Sequence, residues 1–359
     1  MGNELSIFDN IRAKELSAYI QKVISNQEPY LGEGLFPAQK TAGLTMEWLE
    51  QQQELPIALT MSELDTKPTV RDRKGYQKKE KEMPFFRESM LLKEKDRQDL
   101  TRLLRSNPDS PYVKPIIKTI FDDRLGLVEG GRVQAERMRM QLLSGFKVDI
   151  SFNRLRWQVN YDPVGQFSDN ILTLTGGAKW TDYVNSNPVE HIRDRQRHIR
   201  DETGVELDIL ILTTKTWDDL MQNKVIIADI ERMLGSDIIL DDSDMESYLK
   251  KKLKLKTIVR YDKKYQTEKR GATAKYFPDD TVTLLPSGKM GNTWYGTTPE
   301  EADALTGLGR SDVEIVNTGI AILTRVIDRT PVNVETVVSA VMGCSFQNIM
   351  NTAIIKTNG

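Results

Sequence analysis

Residues 111–144 read PYVKPIIKTIFDDRLGLVEGGRVQAERMRMQLLS and support one long helix. Pro111 sits where a first helical turn tolerates proline, because the missing N–H has no intrahelical partner there. At 1.5 Å per residue the segment measures about 50 Å if unbroken, longer than a compact domain needs. Gly126, Gly130 and Gly131 fall inside it and are the expected flex points, with Gly130 and Gly131 placed to bend it.

The rest of the chain has to be organised around that helix. Its 359 residues allow two or three compact units, each with its own core. A formal net charge of −2 excludes a broadly basic surface, so any contact with nucleic acid has to be local. The single cysteine, Cys344, rules out an intrachain disulfide and a cysteine-rich metal site. It lies in an apolar run and reads as a small core residue. No stretch approaches the roughly 20 apolar residues needed to span a bilayer, so no membrane partner is expected.

Before the helix, Ile11, Leu16, Tyr19, Ile20, Val23 and Ile24 recur at helical spacing over residues 8–26. The next stretch, NQEPYLGEGLFPAQKTAG, is too punctuated by proline and glycine for regular structure and reads as an extended arm. Its apolar teeth are Tyr30, Leu31, Leu35 and Phe36. They need cover either from their own subunit, as a strap, or from a neighbouring one. Strand-like runs at 44–61 and 83–92, separated by a long polar stretch, predict a protruding hairpin with a charged tip, and a short helix is expected at 96–105.

Beyond Gly145, alternation through Phe146, Val148, Ile150 and Phe152, then Trp157, Val159 and Tyr161, predicts two strands. The middle third mixes helices at 188–203, 217–221, 226–234 and 245–253 with strands from Leu207, at 257–261 and at 281–285. That mixture marks an α+β or α/β domain. The chain closes in β-rich runs.

Recognisable chemistry is scarce. His191 and His198 share a helix face, but arginine and aspartate lie between them and no third ligand is near. Asp241, Asp242 and Asp244 lack the glycine and glutamate of a calcium loop. The turn after LDILILTT has no glycine to cradle a phosphate, and no serine stands in a nucleophile-elbow pattern. No catalytic residue, cofactor or metal is expected, and the chain is not expected to be an enzyme.

The charged tip is TVRDRKGYQKKEKEMPFFRE. Its Arg71, Arg73, Lys74, Lys78, Lys79 and Lys81 alternate with Asp72, Glu80 and Glu82, and Tyr76 is the one aromatic among residues 69–84. Interposed carboxylates cancel part of the counterion release that drives phosphate binding. Mixed charge suits the rim of a protein contact, where complementary pairs fix register. A nucleic-acid-binding loop at 67–87 is the alternative, and a solvated loop is the bland one.

Several strings resemble the lambda-type major capsid proteins of tailed bacteriophages, the phage major capsid protein E family. They are EGLFPAQKTAGLTMEWL at 33–49, LLSGFKVDISF at 142–152, GGAKWTD at 176–182, YFPDDTVTLLP at 276–286 and SFQNIMNTAIIK at 345–356. The resemblance implies an α+β capsid fold of the Hong Kong ninety-seven type. Its parts would be an N-terminal arm (1–43), an E-loop (44–95), a peripheral domain with the spine helix (96–166), an axial domain (167–310) and terminal strands of the peripheral domain (311–359). It implies a shell subunit forming pentamers and hexamers, made in the bacterial host cytoplasm and ending in the virion. Its partners would be a separate scaffolding protein, a portal, a decoration protein in some relatives, and double-stranded DNA enclosed without sequence-specific binding. The E-loop and arm residues named above would touch neighbouring subunits.

Overall fold

A computed structural model describes residues 13–51, 76–95, 98–99, 102, 113–152, 155–234, 240–267, 271–306, 312–316, 318–327 and 333–359. In chain order the first part holds α1 (Ala13–Ser25), α2 (Leu31–Leu35), β1 (Ala38–Lys40), β2 (Thr45–Gln51), β3 (Tyr76–Glu82), β4 (Phe85–Leu92) and α3 (Val113–Gly145). There follow β5 (Lys147–Phe152), β6 (Leu155–Asn160), β7 (Ile171–Thr173), α4 (Pro188–Thr203), β8 (Ile209–Leu212), α5 (Thr214–Met221), α6 (Lys224–Leu234) and α7 (Asp242–Leu253). The remainder is β9 (Thr257–Arg260), β10 (Lys264–Gln266), β11 (Thr273–Lys275), β12 (Thr281–Leu285), β13 (Gly291–Tyr295), α8 (Pro299–Thr306), β14 (Asp312–Val316), β15 (Ile320–Ile327), β16 (Asn333–Phe346) and β17 (Ala353–Lys356). The chain divides into two compact units: residues 1–47, 80–136 and 292–345, and residues 48–79, 137–291 and 346–359.

The first unit is built on a six-stranded sheet of order β1-β13-β16-β15-β14, with β4 also paired to β16. β16 is almost continuously buried along its length, as expected of an apolar strand covered on both faces. Leu16 and Ile20 of α1 are fully buried, and α1 packs on β14 and β15. Cys344 is buried in the same unit.

The long helix α3 is helical without a break through Gly126, Gly130 and Gly131. Close packing explains one of the glycines. A Cβ on Gly131 would lie 3.0 Å from Ile320 Cδ1 of β15, so the residue lets strand and helix approach.

The predicted hairpin forms with a different partner. β2 pairs with β3, inside the stretch read as the charged tip, while residues 85–92 leave the ribbon and pair antiparallel with β16 from Leu92↔Val334 to Phe85↔Val341. Met83 and Pro84 separate the two strands, and proline cannot continue a hydrogen-bonded ladder. The helix expected at 96–105 lies mostly outside the described residues.

The second unit carries a five-stranded mixed sheet of order β7-β17-β12-β8-β9. β12 runs antiparallel to β17 and β8, whereas β7 and β9 pair in parallel at the edges. The closing strand β17 belongs to this sheet, whereas the strands just before it lie in the first unit. Its Lys356 is half-buried, and its Nζ donates to Ser144 O (2.7 Å) at the end of α3 and to Thr281 Oγ1 (3.1 Å). Burial, with Lys147 nearby, pulls that ammonium below the usual lysine range.

Local signals shape the helices of this unit. Asn187 Oδ1 accepts from Glu190 N (3.2 Å), Pro188 occupies the first turn, and Gly204 at φ 75° closes α4. Trp180, Ile192, Ile199, Leu210, Trp217, Leu220, Leu249, Val282 and Ile355 share one core under these helices. β5 and β6 form the predicted antiparallel pair, and Gln141 of α3 holds the Asp149 backbone at both N–H (3.0 Å) and carbonyl (3.2 Å).

Candidate functional site

The arm is not extended throughout. Leu31–Leu35 form a helical turn, and Ala38–Lys40 add a parallel strand to β13. Leu35 and Phe36 are buried, and the Phe36 carbonyl accepts from Thr293 Oγ1 (2.9 Å). These two teeth fill the core of their own unit, the first of the two covers open to them. The apolar strap is the form they take. Tyr30 and Leu31 are half-buried.

A polar clasp holds the strap against α3. Tyr19 Oη donates to Asp122 (2.6 Å), Tyr30 Oη to Glu129 (2.7 Å), and Gly32 N to Glu136 (3.0 Å). Asp122, Glu129 and Glu136 stand seven residues apart and so share one helix face. Arg132, buried between them, pairs with Glu33 (3.0 Å) and Glu129 (3.0 Å), bonds Gln27 (2.9 Å) and lies 5.2 Å from the centre of the Tyr30 ring. Burial works against the guanidinium charge, but the two carboxylates outweigh it and raise its pKa. The heptad of acids is visible in the sequence, although its partners are not.

The ribbon holds part of the predicted E-loop set. Arg71, Arg73 and Lys74 lie outside the described residues. Tyr76 opens β3, followed by Lys78, Lys79 and Lys81. Lys78 and Lys81 are exposed and Lys79 is half-buried. Strand alternation puts Lys79 and Lys81 on one face and Lys78, Glu80 and Glu82 on the other. No phosphate-binding face of uniform sign is formed by Lys78 and its glutamate neighbours, and nothing supports the nucleic-acid-binding alternative.

The remaining titratable candidates have local roles. Asp241 caps α7 by accepting from Asp244 N (2.8 Å), and Asp242 accepts from Trp217 Nε1 (2.9 Å). Among the described residues, no group of three or more His, Cys, Asp or Glu side chains is placed to hold a metal ion. No helix among them is long and apolar enough to cross a membrane.

His191 Nδ1 accepts from the buried Trp180 Nε1 (3.2 Å), which requires a neutral ring. Burial pulls its pKa below the ordinary value, partly opposed by Asp194 and Glu190. Below about pH 6.5 the unfolded chain therefore binds more protons than the native one, and stability falls with pH towards the depressed value. Thermal denaturation between about pH 5 and about pH 7.5 should show this slope, and His191→Gln should flatten it.

An unbroken long helix, a two-stranded ribbon, a six-stranded sheet and a separate α+β unit define a capsid subunit fold of the Hong Kong ninety-seven type. A protein assigned as the capsid protein of an Escherichia coli CFT073 prophage matches with TM-score 0.62 at 14% identity, over 96% of this chain and 99% of its own. A phage-related protein of Bordetella bronchiseptica RB50 matches at 0.53 and 14% identity, with 97% of each chain covered. The capsid of cyanophage A-1(L) matches at 0.51 and 11% identity, over 99% of this chain and 96% of its own. The chain belongs to the phage major capsid protein E family, whose profile matches residues 12–311. It is a major capsid protein of a phage or prophage. No curated protein matches it.

Proposed function

We propose that copies of this chain close into an icosahedral shell of pentamers and hexamers around double-stranded DNA, working by association rather than catalysis. The observation that carries this reading is the β2–β3 ribbon, which has no third strand among the described residues. A two-stranded ribbon is marginal in water on its own, so a neighbouring surface that covers it completes the fold. In a closed lattice such modest contacts become linked, and each one can remain weak enough for a misplaced subunit to leave.

On this reading residues 44–95 are the E-loop, 167–310 the axial domain and α3 the spine. A net charge near zero fits a container filled by a packaging machine, since its inner face need not neutralise the genome. A separate scaffolding protein and a portal are the expected assembly partners, with synthesis in the bacterial host cytoplasm. Electron microscopy of the chain co-expressed with its scaffold should show shells, tubes or capsomer rings. Deleting residues 67–81 should leave a folded subunit that forms none, and unchanged assembly of the deletion would overturn the ribbon's role.

A further inference from the structure

We propose that the open edge of β4 is a docking surface for β4 of a second copy of this chain, the two strands pairing antiparallel about a twofold axis through Glu88; the inference goes beyond the shell reading and does not depend on it.

β4 is an edge strand. Its eight residues pair with β16 along one side, and among the described residues no strand takes the other. The backbone N–H and C=O groups that point outward are therefore a template for an incoming strand. Lysine and proline commonly blunt such edges, and β4 itself contains neither. Its apolar side chains are left uncovered as well. Phe85 is 44% exposed and Leu91 50%, on one face of the strand, while Phe86 and Met90 on the other face are half-buried.

The sequence of the strand points to its occupant. Residues 85–91 read FFRESML: two apolar residues, a polar one, Glu88, a polar one and two apolar residues. A strand that pairs antiparallel with its own copy meets its sequence in reverse, so a pattern symmetric about one residue is self-complementary. Outward-pointing backbone groups recur at every second residue, so only registers that centre the axis on a residue join the two edges. With the axis at Glu88, Phe85 faces Leu91 of the second copy, Phe86 faces Met90 and Arg87 faces Ser89, so all four apolar side chains find apolar cover. Arg87 is already ion-paired to Glu300 of its own chain, and an uncharged serine opposite suits it. Moving the axis to Arg87 sets Phe86 against Glu88 and brings two guanidinium groups together. Moving it to Ser89 sets Arg87 against Leu91 and Glu88 against Met90. In the favoured register the central pair of Glu88 carboxylates is the one repulsive contact. Glu88 is exposed, so water and salt screen that repulsion, which limits the strength of pairing without preventing it.

The test uses position 88, which lies on the axis, in a chain whose single cysteine, Cys344, is buried. The full-length Glu88→Cys chain, oxidised by air with copper phenanthroline, should give a covalent dimer on a non-reducing gel. Ser89→Cys should give little, because its copy stands two residues, about 7 Å, further along the strand. Leu91→Glu, at an exposed position, should keep the fold by circular dichroism, slow the Glu88→Cys cross-link and remove the dimer seen by sedimentation at rising protein concentration. Glu88→Gln should tighten that dimer by up to about fivefold, the size of one like-charge cross-strand pair. Cross-linking of Ser89→Cys as fast as that of Glu88→Cys, or a Glu88→Cys rate that Leu91→Glu does not change, would overturn the pairing. Electron microscopy of the wild-type chain scores the shell separately: shells without the cross-link would overturn the pairing alone, and a cross-linked dimer without shells would overturn the shell reading alone.

Discussion

Trp217→Ala is expected to destabilise the second unit by about 3–5 kcal/mol, the range for emptying a large aromatic site in a packed core. Trp217 is 2% exposed and belongs to the core shared by α4, α5, α7 and the five-stranded sheet. Its Nε1 donates to Asp242, and the Arg260 guanidinium lies 5.1 Å from the centre of its ring. Truncation therefore removes packing, a donor to a carboxylate at the start of α7, and a stacking platform together. Trp217→Phe keeps much of the volume and loses the donor, so its cost should be smaller, about 1–3 kcal/mol. Urea midpoints followed by far-ultraviolet circular dichroism separate the two variants. Equal losses for alanine and phenylalanine would mean that the hydrogen bond, and not the packing, holds this site.

Elements whose signals are local are legible in the amino-acid order itself. α4 carries its start in Asn187 and Pro188 and its stop in Gly204, so its span follows from three residues and an apolar period. β12 is short, apolar and bounded by turn residues, and its five positions are all buried. Pairing at long range leaves no such mark. β3 reads YQKKEKE, a composition poor in strand formers, and only its partner β2 makes it a strand. β4 resembles the return arm of the hairpin because sequence adjacency favours hairpins, yet β16 takes it into an antiparallel ladder from Leu92↔Val334 to Phe85↔Val341.

The assembly surfaces divide in the same way. Composition exposes the arm's apolar teeth and the ribbon's mixed charge, both properties of a few neighbouring residues. It does not say which teeth turn inward, because Phe36 is held beside a strand more than 250 positions away, β13, whose Thr293 donates to its carbonyl. Nor does it reveal the open edge of β4, because only the fold shows β16 on one side of that strand and, among the described residues, no strand on the other. Gly131 shows the same division: flexibility is a property of the isolated residue, and close approach is a property of its partner Ile320.

Arg132→Ala is expected to cost the first unit about 2–3 kcal/mol, below the range for a fully buried ion pair because Glu33 and Glu129 keep partial contact with solvent. The Arg132 side chain is 3% exposed, and its removal strands Glu129 and Glu33 on a face that also carries Glu136. Tyr30→Phe removes only the hydroxyl bond to Glu129 and keeps the ring beneath the guanidinium, so about 1 kcal/mol is expected. Because the clasp is polar while the teeth are apolar, the two parts of the strap can be tested apart. Limited proteolysis of Arg132→Ala should cut within residues 26–34, beyond α1, while the β1 strand stays paired with β13 and Phe36 stays buried. Cleavage no faster than in the wild-type chain would assign the hold on the strap to Leu35 and Phe36 alone, and the row of acids along α3 would then need another partner.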